Sequence, residues 1–144
     1  NDKPLIQRPT SYTQTNLMQK ICFKASKNWL LEYGYHYSQT SEYGRYDRLI
    51  ELNNNVPRLA VWNYGPQKWR MHFLSVLHEK QTVLYDQVQT RLAYQYFEES
   101  RIDRNFSGSQ RFRLRTQQEQ VYAVSSNLDF RKKMNQHQFF YGLE

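Results

Sequence analysis

The stretch WLLEYGYHYS, Trp29–Ser38, decides the fold class because its side chains alternate in type. Every second residue from Trp29 to Tyr37 is aromatic or Leu, and the positions between them carry Leu, Glu, Gly, His and Ser. Successive side chains of a strand point to opposite faces of a sheet, so the alternation predicts a strand with one aromatic face. Tyr and Trp also suit the pleated, half-buried surface of a sheet.

Two further strands are predicted directly after this one. Arg48–Leu52 and Leu59–Tyr64 are short runs rich in apolar residues. Between them, Asn53–Asn55 tolerates the left-handed backbone of a hairpin turn, and Gly65-Pro66 ends the later run. The first half of the chain therefore predicts an antiparallel meander.

The second half is predicted to continue the sheet. Between Lys68 and Ile102 the apolar spacing suits both helix and strand, and strands are favoured. Turn residues fill Asn105–Ser109, after which Arg111–Val124 alternates again, as one long strand or as two joined by a bend. Gln138–Tyr141 is the last strand candidate. Six or more short strands indicate a mainly β fold, a small antiparallel barrel.

The N-terminal residues are predicted to differ from the rest. Residues 1–15 contain two prolines and no periodicity, which indicates an extended arm that needs a surface to dock on. Beyond the arm, apolar residues recur at helical spacing at Leu17, Met18, Ile21, Cys22 and Ala25. A short amphipathic helix is expected there. The length of the chain allows one ordinary domain, so residues 16–144 are expected to form a single barrel domain.

Composition favours an anionic partner and a reducing compartment. Lys and Arg number 20 against 13 Asp and Glu, a net charge of +7, which attracts nucleic acid, acidic protein, anionic membrane surfaces or carboxylate-bearing ligands. One cysteine allows no intrachain disulfide. No stretch has the apolar length of a membrane-spanning helix, and residues 1–10 lack the pattern of a signal peptide.

Several common chemistries have no motif in this sequence. There is no Gly-rich phosphate loop, no paired-cysteine spacing and no nucleophile elbow, and the four histidines are scattered, so no metal site is expected. Cys22 is expected to be a small buried hydrophobe on the predicted helix. Glu98 and Glu99 are neighbours in a predicted strand, so they are expected to be surface charges on opposite faces.

The most informative polar pattern is the alternation of Arg111, Arg113 and Arg115 with the residues between them. It predicts three guanidinium groups on one face of a strand. That face is either a solvated exterior or an anion-binding surface, since guanidinium binds carboxylate or phosphate through two parallel hydrogen bonds. Glu119 lies close enough in sequence to align one of these arginines, and the outward orientation of the three is favoured.

Two segments resemble the S-type phycobiliprotein chromophore lyases. EQVYAVSSNLDFR, Glu119–Arg131, is similar to their late signature, in which a Glu precedes an aromatic strand, then Ser-Pro-Asn-Leu and alternating arginines. Ser126 stands at the position of that Pro. Upstream, Phe23–Ser26 followed by Trp29 resembles the entry into the family's first strand, and His36 falls where the family carries a His. Residues 53–106 hold no matching motif.

The resemblance implies a lipocalin-like barrel that binds a bilin, a linear tetrapyrrole of the phycocyanobilin or phycoerythrobilin type. The bilin would be delivered to a cysteine of a phycobiliprotein subunit, in the plastid stroma or cyanobacterial cytoplasm, including the thylakoid surface. Glu119 would orient or protonate the pyrrole nitrogens, and Arg131 would hold a propionate. The chemistry of Trp62 and Tyr122 suits stacking on the rings, and arginines suit the propionates.

Two positions depart from the family pattern. Tyr33 and Asp129 stand where the family carries arginines, and an Asp facing a propionate would repel it. Three functions therefore stay open: a bilin-binding protein that acts as a lyase, a non-catalytic lipocalin-like subunit of a photosynthetic or phycobilisome assembly that contacts acidic proteins, and a basic nucleic-acid- or ribosome-associated protein. The alternating Tyr strand has no recognisable RNA-binding signature, which disfavours the third.

Overall fold

A computed structural model describes residues 7–144 and shows a mainly β, antiparallel fold. The strands are β1 Gln14–Lys24, β2 Trp29–Thr40, β3 Tyr43–Gly44, β4 Leu52–Asn53, β5 Val56–Pro57, β6 Leu59–Tyr64, β7 Lys68–Glu79, β8 Gln87–Asn105, β9 Arg115–Met134 and β10 His137–Leu143. Among the described residues there is one helix, α1, at Tyr46–Leu49. Within residues 7–144 no helix has the length and apolar character needed to cross a membrane.

The hydrogen-bonded order of the main sheet is β1-β2-β7-β8-β6-β3, and β9 pairs with both β8 and β10. Strands β4 and β5 form a separate hairpin. Over the described part of the chain, no pairing joins β1 to β10. The antiparallel sheet is therefore established, whereas its closure into a lipocalin-like barrel stays a prediction.

The chain divides into two compact units. Unit 1 comprises Ser38–Trp69, Phe97–Val121 and the described residues up to Asn16. Unit 2 comprises Leu17–Tyr37, Arg70–Tyr96 and Tyr122–Glu144. Residues 1–6 of the predicted N-terminal arm lie outside the described residues, and β1 begins at Gln14, before the predicted end of the arm.

Most of the predicted strands are confirmed. Strand β2 contains the predicted Trp29–Ser38 strand, and β6 coincides with the predicted Leu59–Tyr64. Strands β7 and β8 confirm strands for most of the ambiguous region from Lys68 to Ile102, and residues 80–86 between them form a loop. Strand β10 contains the predicted Gln138–Tyr141.

The predicted N-terminal helix is wrong, because those residues form β1. Pairing with β2 satisfies the backbone, and Lys20 Nζ lies 2.7 Å from Glu32 Oε1 of that strand. The expected burial of Cys22 is wrong for the same reason. Its thiol is exposed and lies on the strand face that also carries Glu32, with Sγ 3.6 Å from Oε2.

The predicted strand at Arg48–Leu52 is also wrong in most of its length. Helix α1 takes its place, with Arg48 Nη1 lying 2.6 Å from Glu51 Oε1. The hairpin of β4 and β5 follows. Asn54 and Asn55 of its turn have φ angles of 51° and 61°, the left-handed backbone that was predicted for the asparagine tract.

The predicted arginine ladder does not form. Arg111 and Arg113 precede β9 in turns, where their backbone N–H groups donate to the carbonyls of Gly108 and Gln110. Of the three arginines, Arg115 alone belongs to the strand. The sequence does alternate charged and apolar residues here. The strand nevertheless begins only at Arg115, because Gly108, with a φ of 85°, and the turns after it occupy the preceding residues.

Candidate functional site

One face of unit 1 collects three of the predicted site residues, Glu119, Arg115 and Trp62. Trp62 lies opposite Asp103 in the antiparallel pairing of β6 with β8, and directly opposed residues share a face. Arg115 of β9 pairs with Asp103 at 2.9 Å. We name this group the site face and define it as Trp62, Tyr64, Arg101, Asp103, Arg115 and Glu119.

Glu119 is held beside a cation on the site face. Its Oε2 lies 3.6 Å from Arg101 Nη2, and its Oε1 accepts a 3.2 Å hydrogen bond from Gln117 Nε2. Arg101 also donates to Glu99 Oε1 at 3.0 Å. The hydrogen bond to Glu99, followed by the negative charge of Glu119, raises the pKa of Arg101. The guanidinium therefore stays charged between two carboxylates, and N–H groups that these do not use can donate to an anionic ligand.

Two arginines lie over the aromatic part of the site face. The Arg45 guanidinium carbon is 5.5 Å from the Trp62 ring centroid and 5.8 Å from that of Tyr64, and Arg48 is 5.7 Å from Trp62. Arg45 Nε donates a 2.8 Å hydrogen bond to Asp47 Oδ1. That bond lowers the pKa of Asp47 and raises the pKa of Arg45. A ligand ring that stacks on Trp62 must share its ring faces with these cations.

A cavity of about 260 Å³ in unit 1 adjoins the site face. It is lined by Tyr12, Gln14, Ser38, Thr40, Tyr43, Gln67, Trp69 and Phe97, none of which carries a charge. Tyr43 joins the cavity to the site face, since its ring centroid is 5.4 Å from that of Tyr64. Burial raises the pKa of the Tyr43 hydroxyl. Pockets for whole drug-sized ligands usually span about 300–1,000 Å³, so this cavity suits part of a larger molecule.

Arg113 and Arg115 line a second cleft of about 270 Å³, together with Asp103, Asn105 and Gln110. Arg115 donates two parallel hydrogen bonds to Asp103, both 2.9 Å long, and they raise the pKa of Arg115. Among the described residues Arg113 has no ion-pair partner. Arg113 is therefore the cation of this cleft that is available to an incoming anion.

The other four predicted site residues lie in unit 2 and do not form one site. The Tyr33 hydroxyl lies 2.7 Å from His72 Nδ1. Tyr122 packs against Tyr96, with ring centroids 5.0 Å apart. Because residues alternate along β9, Tyr122 points to the opposite face from Asp129 and Arg131.

Asp129 and Arg131 have separate surroundings on their face of β9. Arg91 Nη2 lies 2.5 Å from Asp129 Oδ2, so the carboxylate that was expected to repel a propionate is already paired. Arg131 lines an open cleft of about 600 Å³ with Lys132, Lys133 and Asp86. Lys132 Nζ donates to Asp86 Oδ1 at 2.9 Å, and the backbone N–H of Lys133 donates to Oδ2 at 2.8 Å.

These bonds predict an acid-sensitive contribution of Asp86 to stability. The hydrogen bond from Lys132, then that from Lys133, lowers the pKa of Asp86 from 3.8. A folded-state pKa below the unfolded one stabilises the protein above the unfolded value, and this contribution is lost as pH falls through the folded value. We expect Asp86→Asn to destabilise the protein at pH 6 and the difference from wild type to shrink below pH 4. Urea unfolding at both pH values measures it, and a constant difference would contradict it.

Sequence reasoning missed Glu99 and Arg101. Glu98 and Glu99 were expected to be surface charges, but their side chains are only 15% and 18% exposed. Glu98 pairs with Lys68 at 3.1 Å, and Glu99 binds Arg101. A signal was present, because Glu99, Arg101 and Asp103 are spaced two apart and therefore share one face of a strand.

Comparison with known proteins gives no relative whose function could be compared with this site. No protein-family model matches the chain, and no curated protein and no solved structure is significantly similar to it.

Proposed function

We propose that the protein binds a bilin at the site face of unit 1. The proposal rests on the resemblance to the S-type chromophore lyases, and one observation supports it most: Glu119 lies beside Arg101 on the face that carries Trp62. A bilin has pyrrole nitrogens, two propionates and a flat conjugated body. The site face and its flanking cavity offer a carboxylate, arginines and aromatic rings to these three features.

Each part of the ligand has a proposed partner. Glu119 accepts hydrogen bonds from the pyrrole N–H groups or protonates a pyrrole nitrogen. Arg101 and Arg113 hold the propionates, in place of Arg131, which belongs to unit 2. Tyr43 and Trp69 receive a terminal ring in the uncharged cavity. A lipocalin-like barrel with the site face inside would exclude water and strengthen these charge interactions.

Two roles follow from bilin binding. As a lyase, the protein would pass the bilin to a cysteine of a phycobiliprotein subunit. As a non-catalytic subunit of a photosynthetic assembly, it would bind a protein partner through its exposed apolar surface. The second role is supported by side chains such as Val124, which is 78% exposed.

Titration with free phycocyanobilin, followed by absorbance, tests the proposal. We expect a red-shifted, sharpened band for the wild type, because a structured site extends the chromophore and holds its nitrogens protonated. Glu119→Gln should lose most of the shift, while Asp129→Asn in unit 2 serves as the control and should keep it. A wild type without a spectral change, or a Glu119→Gln variant with the full change, would refute the proposal. Transfer to an apo-phycobiliprotein subunit then separates lyase from subunit.

A further inference from the structure

A cluster of cations lines the open cleft of about 600 Å³ at the hairpin of β9 and β10. We name it the hairpin cleft. Its lining residues are all charged or amide-bearing, and they are Gln81, Asp86, Arg131, Lys132, Lys133, Asn135 and Gln138. They belong to unit 2, whereas the proposed bilin site belongs to unit 1. Three cations against one carboxylate leave an excess of two positive charges, so the cleft suits a hydrophilic anion.

The carboxylate of the hairpin cleft is engaged by groups other than the Arg131 and Lys133 side chains. Asp86 Oδ1 accepts from Lys132 Nζ, and its Oδ2 accepts from the backbone N–H of Lys133, so the Lys133 ammonium takes no part. Lys132 Nζ also donates to the carbonyl of Thr82, which fixes this side chain in place. Within residues 7–144, neither Arg131 nor the Lys133 ammonium has an ion-pair partner. These two cations can therefore receive an incoming anion.

The two cations and an amide lie on one face of the hairpin. Arg131 and Lys133 are two residues apart in β9, so their side chains point to the same side of the sheet. Gln138 lies directly opposite Lys133 in the antiparallel pairing of β10 with β9, and opposed residues share a face. Asn135, with a φ of 55°, belongs to the tight turn between the strands. The paired strands hold these donors together before a ligand arrives, which lowers the entropic cost of binding.

We propose that the hairpin cleft binds the phosphate group of a small hydrophilic ligand, either inorganic phosphate or a phosphate monoester. A phosphate monoester carries about −1.5 to −2 charges near pH 7 and has three strong acceptor oxygens. Arg131 offers the planar fork that binds two oxygens at once, and Lys133 and Gln138 offer further N–H donors. A carboxylate balances only one of the two excess charges. Single-stranded nucleic acid is disfavoured, because no lining residue is an aromatic ring on which a base could stack.

Titration with inorganic phosphate, followed by the amide chemical shifts of the isotope-labelled protein in NMR spectra, tests the site. At constant ionic strength we expect saturable shifts at Lys133, Asn135 and Gln138, with a dissociation constant of about 1–10 mM. Arg131→Gln should weaken binding about five- to tenfold, because it removes the bidentate donor. Lys133→Gln should also weaken it and keeps the backbone bond to Asp86, so it serves if Arg131→Gln does not fold.

One variant and one anion serve as controls. Lys24→Gln removes an equal charge from unit 2 at a different cleft, and it should change phosphate affinity less than about twofold. Propionate carries a single negative charge, and it should bind at least about fivefold more weakly than phosphate. Glycerol phosphate distinguishes the two sources of the group. Tighter binding than that of inorganic phosphate would identify a phosphorylated small molecule, and equal or weaker binding would identify free phosphate.

Four results would overturn the proposal. The first is the absence of saturable shifts with both phosphate compounds. The second is propionate binding as tight as that of phosphate, which would show a general response to negative charge. The third is an equal loss of phosphate affinity in Arg131→Gln and Lys24→Gln. The fourth is a short single-stranded oligonucleotide that shifts the same amides at far lower concentration than either phosphate compound, which would assign the cleft to nucleic acid.

Discussion

Arg101→Ala is expected to weaken phycocyanobilin binding by about ten- to a hundredfold. A charge-assisted hydrogen bond contributes about 1.5–3 kcal/mol, and each 1.4 kcal/mol is a factor of ten in affinity. The substitution also leaves Glu99 and Glu119 without the cation that lies between them, at 3.0 Å and 3.6 Å. Their unbalanced charge would then repel the propionates, which adds to the loss. Absorbance titration at low ionic strength measures the change.

Two control variants test whether the loss of bilin affinity is specific to the Arg101 guanidinium. Arg111→Ala removes an arginine that lies 4.6 Å from the Phe112 ring, outside the site face, and it should change affinity less than about twofold. Arg101→Lys keeps the positive charge without the planar fork, so it should recover part of the binding. Equal losses in Arg101→Ala and Arg111→Ala would indicate a general effect of net charge and would contradict a propionate site at Arg101.

The sequence predicted a strand best where the pattern of side chains fits a strand and does not fit a helix. Trp29–Ser38 alternates aromatic and other residues over its whole length, and no helical face would collect those rings. In residues 17–25, by contrast, the apolar side chains come in adjacent pairs, and the pairs repeat every four residues. This spacing is also typical of one face of a helix. That segment becomes β1 because β2 offers it a backbone partner, and this pairing outweighs the weak local preference.

The site face could be predicted only in part, for a reason of register. Glu119 was found through the resemblance and Trp62 through its chemistry. Their common face depends on the pairing that sets Trp62 opposite Asp103, 41 residues along the chain. The register between two strands that are distant in sequence depends on the packing of the whole sheet, so no short sequence pattern reveals it. At Arg113 the local pattern misled instead. The alternation around Arg113 predicted a strand, but the turns that follow Gly108 place this residue before the start of β9.

Gly34→Ala is expected to destabilise the protein by about 1–2 kcal/mol. Gly34 is buried within β2, and a Cβ added there would lie 1.8 Å from Cε1 and 2.3 Å from Cζ of Phe73. Overpacking of this kind usually costs about 1–3 kcal/mol. Replacing a strand glycine by alanine returns about 0.5–1 kcal/mol, because glycine loses more backbone freedom on folding. The clash therefore outweighs the gain, and urea unfolding followed by circular dichroism measures the difference.

A double-mutant cycle with Phe73→Ala separates the clash from any other effect of the new methyl group. The three heavy atoms nearest to an added Cβ all belong to this ring. Without the ring, Gly34→Ala should be neutral or stabilise the protein by about 0.5 kcal/mol. The two substitutions should therefore be strongly coupled. An equal loss of stability in both backgrounds would show that the backbone of β2 at this position, and not the Phe73 ring, excludes a side chain.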